Sequence, residues 1–353
     1  MVYVGIDLHR RTSHVAALDE EGLELLSRRV TNDPEALRAL FAELGGEARV
    51  ALEAAFGWEW LADLLEREGI ELHLAHPRHT KAIAAARVKT DAVDARTLAH
   101  LLRADLLPEA YVAPPELREL RELLRHHIGL TRLRTTLKNR VHALLARQGV
   151  QRGRAELFGP SGRRFLGELS LPESTRRRLE SLLALIADFD RELAAVKREI
   201  HARAKDEPRV SVLTRIPGVG VFIALLVLAE VGDVTRFPSA RHLASWAGLT
   251  PRVSNSGERV RLGSITHQGS AHLHWGLVQA AQTAVRADGP LKATYERIKH
   301  RRGSKVAKVA VAREILTLCY YGLRDGEIRR LEAAAARANS ALAVASTGSR
   351  LVD

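Results

Sequence analysis

Three strand-like stretches follow one another before the first helix, and this opening constrains the fold more than any other feature of the chain. Residues 2–8, 13–18 and 23–31 are rich in β-branched and apolar side chains. The links between them, the second of which is the turn Asp19-Glu20-Glu21-Gly22, are too short for a parallel crossover, so the strands must pair antiparallel. Asn32-Asp33-Pro34-Glu35 then offers a capping side chain followed by Pro in the first turn, which starts a helix that Gly45-Gly46 ends. Residues 49–53 read as a strand, 58–68 as a helix, 71–75 as a strand, and a helix follows Pro77. The order β-β-β-α-β-α-β-α predicts a mixed sheet, antiparallel at its start and parallel later.

From Pro114 the texture changes. Residues 116–148 form one long helical pattern studded with arginine, and residues 172–204 form a second. The stretch between them is loop-prone, so the pair predicts an antiparallel helical hairpin or coiled coil. A plain helical spacer with a solvated basic face is the alternative. After Pro208, residues 213–228 read as helix, Pro217-Gly218-Val219-Gly220 turn, helix. A Gly-containing turn of this kind lets backbone N–H groups at Gly218 and Gly220 approach a phosphate, although a simple helix cap gives the same pattern. Residues 250–269 read as a loop, and helices are expected over 272–287 and 305–322. The chain thus divides into an α/β domain (1–112), a helical hairpin (113–207), a mainly helical C-terminal domain (208–325) and a partly disordered tail (326–353).

The 353 residues carry a formal net charge of +12, which favours a polyanionic partner, nucleic acid before a membrane surface. Arg118, Arg121, Arg125, Arg132 and Arg140 lie along the first long helix and are candidates for phosphate contacts. The single cysteine, Cys319, excludes an intrachain disulfide framework. Strand-like sequence at the outset gives no sign of a signal peptide, and the most apolar run, residues 219–229, is too short to span a bilayer. The expectation is a cytoplasmic, nucleoid-associated protein.

Four carboxylates stand out by position. Asp7 lies near the end of the first strand, and Glu53 ends a strand that a sheet of this order can place beside the first. Asp91 and Asp94 open a helix three residues apart, on one face. Brought together, such groups repel one another, and hard divalent cations remove that penalty; two Mg²⁺ ions could stabilise the attacking and leaving oxygens of a phosphoryl transfer. Each carboxylate alone has an ordinary reading as a helix-end charge, a salt bridge or a turn. Val4-Gly5-Ile6-Asp7 also resembles the opening of actin-like ATPases and sugar kinases. Those folds need a small-residue phosphate loop after the Asp, where this chain has Leu8, His9, Arg10 and Arg11.

A last motif lies in the 250–269 segment. Ser256-Gly257 sits among Arg252, Arg259 and Arg261, so a serine hydroxyl could attack a phosphodiester held by guanidiniums. A polar turn on a nucleic-acid-binding surface is the alternative.

Taken together, the motifs resemble the insertion-sequence-110 family of transposases, the bridge-RNA-guided serine recombinases. The resemblance rests on Gly5-Ile6-Asp7, Leu52-Glu53-Ala54 with Gly57 and Trp58, and Lys89-Thr90-Asp91-Ala92-Val93-Asp94-Ala95. It continues through Ile216-Pro217-Gly218-Val219-Gly220, Glu230-Val231-Gly232-Asp233 with Arg236-Phe237, Ala247-Gly248-Leu249-Thr250-Pro251-Arg252, and Ser256-Gly257. It implies a RuvC-like, ribonuclease-H-like domain with Asp7, Glu53, Asp91 and Asp94 as its metal-binding DEDD set. It also implies a helical region for assembly and RNA contact, and a transposase domain with Ser256 as nucleophile. The implied partners are donor and target DNA, a structured guide RNA, and further copies of the chain, a dimer becoming a tetramer on DNA. Beyond the serine the chain departs from the family pattern, with His267, Gly269-Ser270 and Leu273-His274 where Lys, Gly, Asn and Leu-Arg are usual. The competing readings are a Holliday-junction-type nuclease that uses the acidic set alone, and a non-catalytic nucleic-acid-binding protein.

Overall fold

The computed structural model describes residues 1–83, 90–150, 157–256 and 259–329; the side chains at 254–256, 259, 260 and 262, and the tail from 330 onward, lie outside the described part. The chain forms two compact units, Met1–Pro115 and Glu116–Asp353.

The first unit is built on five strands. They are β1 (Val2–Leu8), β2 (Thr12–Leu18), β3 (Glu24–Thr31), β4 (Ala48–Glu53) and β5 (Glu71–Ala75), in the spatial order β3-β2-β1-β4-β5. The first three pair antiparallel, while β4 and β5 join in parallel, as the element order demands. Helices α1 (Pro34–Leu44), α2 (Glu59–Arg67), α3 (Pro77–Ile83) and α4 (Asp91–Arg103) complete the unit. Asp33 caps α1 by accepting from the Ala36 N–H at 3.0 Å, and Thr90 caps α4 through Val93.

Strand alternation then sorts the two faces. Val4, Ile6, Val50 and Leu52 point to one side and form a core with Leu37, Leu40, Leu61, Leu64 and Leu65 of α1 and α2. The other side carries Tyr3, Ala51 and Ala75, packed with Leu98 and Leu102 of α4. Burying both faces of the sheet explains the near-continuous apolar runs of β1 and β4.

The second unit is mainly helical. It contains α5 (Pro115–Arg147), which begins at the boundary, α6 (Pro160–Glu168), α7 (Glu173–Lys205), α8 (Pro208–Leu213), α9 (Val221–Val231) and α10 (Ala240–Trp246). Strands β6 (Pro251–Ser256) and β7 (Arg259–Ile265) follow, then α11 (Ala271–Ala284), α12 (Pro290–Arg302) and α13 (Ser304–Asp325). Ion pairs Arg134–Asp190 and Arg203–Glu119 tie α5 to α7. Advancing from Glu119 to Arg134 on α5 corresponds to stepping back from Arg203 to Asp190 on α7, so the two helices run antiparallel. Val141 and Leu145 of α5, Leu166 of α6, and Leu179 and Ile186 of α7 share one core. The main core gathers α8–α11 and α13 around Leu225, Leu226, Leu277 and Ile315.

Three sequence expectations are corrected. The 250–269 segment is an antiparallel hairpin rather than a loop: Val253 pairs with Leu262 and Ser256 with Arg259. The stretch between the long helices contains α6, started by Pro160 after Gly159. A third helix, α12, stands between the two expected near the C-terminus, again opened by Gly289-Pro290.

Candidate functional site

The first unit brings Asp7 and Asp91 together with a histidine, His9, whereas Glu53 and Asp94 do not join that cluster. In the parallel pairing of β1 and β4, Ile6 is the partner of Leu52, and Asp7 and Glu53 are the residues that follow on the two strands. Gly5 and Asp7 lie on the α4 side of the sheet. A Cβ on Gly5 would stand 2.7 Å from the Ala99 backbone nitrogen, so the bare glycine lets α4 settle directly onto β1. This close crossing carries the first turn of α4, with Asp91 and Asp94, to the end of β1.

The ligand atoms of Asp7, His9 and Asp91 lie within 4.8 Å of one another. His9 Nε2 is 3.1 Å from Asp7 Oδ2 and 3.3 Å from Asp91 Oδ1, while an Arg29 guanidinium nitrogen donates to Asp91 Oδ2 at 3.1 Å. Burial pushes the Asp7 carboxyl above the usual carboxylate range; His9 pulls it back, and Asp94 and Asp91 push it up further. Asp91 is held below that range, chiefly by its hydrogen bond with His9, with Arg29 adding to the effect. Crowded negative charge beside carboxylate oxygens is the donor chemistry that suits a divalent cation.

The sequence singled out the carboxylates and passed over His9. A signal was available, since residues two apart at a strand end project to the same side, which sets His9 with Asp7. Its second partner, Asp91, is distant in sequence and gave no local cue.

In the second unit Ser256 ends β6, with Arg259 as its backbone partner across the hairpin. Arg252 and Arg261 are exposed on the same hairpin, whereas the side chains of Ser256 and Arg259 lie outside the described part. His272 stands near Arg125 and Glu230, and burial, followed by the Arg125 charge, lowers its pKa.

The arginines of α5 divide into two groups. Arg132 and Arg140 are exposed, and Arg118 is half-buried. Arg140 lines a groove between α5 and α7 together with Arg147, Arg177 and Arg178. Arg121 and Arg125, which the sequence places with the phosphate-facing set, are turned inward. Arg121 donates to the carbonyls of Ala229 at 2.7 Å and Glu230 at 3.2 Å, at the C-terminal end of α9. Arg125 pairs at 3.2 Å with the Glu230 carboxylate, which is only 4% exposed. Guanidiniums at a helix C-terminus satisfy its last carbonyls and its dipole.

Gly218 also has a packing role. Its φ is +85°, and a Cβ there would lie 2.2 Å from the Ala280 carbonyl oxygen of α11. Gly220 caps α9 with nothing near a would-be Cβ, so the backbone is open at that point. The basic last turn of α12, Lys299 to Arg302, went unassigned in the sequence because no helix was expected there. Among the described residues no helix is long and apolar enough to cross a membrane.

Comparison with known proteins identifies the family. Residues 4–148 match the family model DEDD_Tnp_IS110, described as a transposase, and residues 210–296 match the transposase IS116/IS110/IS902 family. The chain is 27% identical to an insertion element IS110 protein of Streptomyces coelicolor, over 92% of this chain and 94% of that one. It is also 27% identical to the transposase for insertion sequence element IS1111A of Coxiella burnetii, covering 80% of this chain and 78% of the relative. The transposase for IS1328 of Yersinia enterocolitica is 24% identical, with 79% and 82% covered. The two matched segments together cover well over half of the chain, and on that ground the chain belongs to the IS110 family of transposases.

Proposed function

We propose that the chain cuts and rejoins DNA through a divalent-metal site formed by Asp7, Glu53, Asp91 and Asp94, with Ser256 as the nucleophile. The observation that carries this reading is the meeting of Asp7 and Asp91 where α4 crosses β1 over Gly5, with Asp94 close enough to raise the Asp7 pKa. Bound there, Mg²⁺ would neutralise the carboxylates and polarise the scissile phosphate.

The residues of the chain supply the rest. The Ser256 hydroxyl attacks phosphorus, the ester bond to one deoxyribose oxygen breaks, and the serine proton passes to that oxygen, which leaves as a hydroxyl. The phosphoserine ester keeps the bond energy of the phosphodiester, so attack by a new hydroxyl rejoins DNA without an external energy source. Arg252, Arg259 and Arg261 would offset charge building on the phosphate oxygens. Gly220, with its open backbone at the start of α9, would donate its N–H to a phosphate.

A structured guide RNA encoded by the element, pairing with donor and target DNA, follows from the family likeness. The exposed Arg132 and Arg140, with Arg118, give the α5–α7 hairpin a basic surface for it. Ser256 belongs to the second unit and the carboxylates to the first, an arrangement that suits the assembly of subunits, a dimer becoming a tetramer on DNA.

The test is a labelled suicide DNA substrate with wild type, Asp7→Asn, Asp94→Asn and Ser256→Ala. An adduct at Ser256, lost in all three variants and in EDTA, supports the reading. Cleavage by Ser256→Ala would leave a nuclease that uses the acidic set and water.

A further inference from the structure

The turn after β1 holds a histidine that the acidic set does not account for. His9 Nε2 lies 3.1 Å from Asp7 Oδ2 and 3.3 Å from Asp91 Oδ1. Neighbouring ligands around an octahedral ion at about 2.1–2.2 Å are separated by about 3.0 Å, and around a tetrahedral ion by about 3.3 Å. The donor atoms of Asp7, His9 and Asp91 all lie within 4.8 Å of one another, so a single cation can touch all three in place of the hydrogen bonds that join them.

The turn that bears His9 is held from behind. The Asn32 side-chain amide donates to the His9 carbonyl oxygen at 2.5 Å, and its own oxygen accepts from the Ser13 hydroxyl at 2.6 Å. Ser13 is buried at 1% exposure, and the Asn32 backbone N–H donates to the Arg11 carbonyl at 2.9 Å. On the facing side, Arg29 occupies Asp91 Oδ2, which leaves Oδ1 directed at His9. Asn32 thus fixes the backbone that carries His9, and Arg29 fixes the Asp91 carboxylate, which narrows the positions these two side chains can take. An ordinary surface ion pair needs no such support and contributes little.

We infer that His9 is a nitrogen ligand to the cation held between Asp7 and Asp91, and that it biases this position toward a first-row transition ion over Mg²⁺. This rests on the acidic set being a metal site, as proposed above. Mg²⁺ prefers oxygen donors and keeps its water, whereas an imidazole strengthens transition-ion binding.

The experiment uses Mn²⁺ as the probe on the full chain, followed by electron paramagnetic resonance and electron spin-echo modulation. Wild type should show a coupling to a directly bound ¹⁴N. His9→Ala should lose that coupling and weaken Mn²⁺ binding by about tenfold or more, while Mg²⁺ affinity, read by competition, changes by less than about threefold. The exposed position of His9 makes this substitution tolerable, and a thermal melt checks that the variant is folded. Bound Mn²⁺ that Asp7→Asn releases but that shows no nitrogen coupling, or a coupling that survives His9→Ala, overturns the inference alone. Mn²⁺ binding that is absent in wild type, or unchanged by Asp7→Asn, overturns the metal-site reading with it.

Discussion

Gly5 of β1 sits so close to Ala95 of α4 that a Cβ built on it would stand 1.9 Å from the Ala95 carbonyl oxygen. The contact is with backbone, so no side-chain rotation relieves it, and α4 would have to lift. Gly5→Ala should therefore cost about 3 kcal/mol or more of stability, beyond ordinary overpacking. It should also separate Asp91 from Asp7. Thermal melts measure the first effect, and loss of divalent-ion binding in protein that remains folded measures the second.

Asp7→Asn should stabilise the metal-free protein at neutral pH while abolishing cleavage. The Asp7 pKa is raised on folding, mainly by burial and also by Asp94 and Asp91. A raised carboxyl pKa means that the native state binds the proton more tightly than the unfolded chain. Its favourable contribution is present in acid and is lost as the pH rises through the folded pKa. The variant's melting temperature should exceed that of wild type at pH 7, and the gap should narrow toward acid. Added divalent ion should raise the wild-type melting temperature and leave the variant unchanged.

The two groups of α5 arginines should behave differently. Arg125→Ala leaves the buried Glu230 carboxylate without its guanidinium and should cost about 3 kcal/mol, the lower end for breaking a buried pair, because Arg125 is itself 35% exposed. Charge reversal at Arg132 and Arg140 should leave the denaturation midpoint nearly unmoved. It should instead weaken nucleic-acid binding and flatten its dependence on salt. Titrations at several ionic strengths separate the two outcomes.

Cys319 should resist alkylation in the native state. It is fully buried in α13, and burial pushes its thiol pKa up to about 12. Iodoacetamide labelling followed by mass spectrometry should detect modification only after denaturant is added.

The strands of the first unit were legible because each is a short apolar run bounded by turn residues or a cap, and Asp33-Pro34 marks the start of α1 by local chemistry alone. Asp7 and Asp91 were legible by their places at element ends. The contacts that bring these two together were not. Gly5 looks like any strand glycine until Ala95 is seen above it, and Arg125 looks like any helix-surface arginine until Glu230 lies beneath it. In the β6–β7 hairpin, Val260 and Leu262 alternate with Arg259 and Arg261 as a strand should, but surrounding Gly, Ser and Asn drew the reading toward a loop. At Gly159-Pro160 and Gly289-Pro290, residues that break one element also start the next, and only the start was overlooked.

The antiparallel register of α5 and α7 has a consequence for how such a chain can change length. Each helix has 33 residues, which at 1.5 Å per residue spans about 50 Å. Ion pairs such as Arg134–Asp190 and Arg203–Glu119 hold only while residues added to one helix are answered in the other. A deletion of one turn from α5 between Glu119 and Arg134 would put one of these pairs out of register with the other, whereas a matched deletion in α7 would shorten the arm and keep both. The two helices thus act as the two edges of one ruler, whose length changes without loss of these contacts only in paired steps.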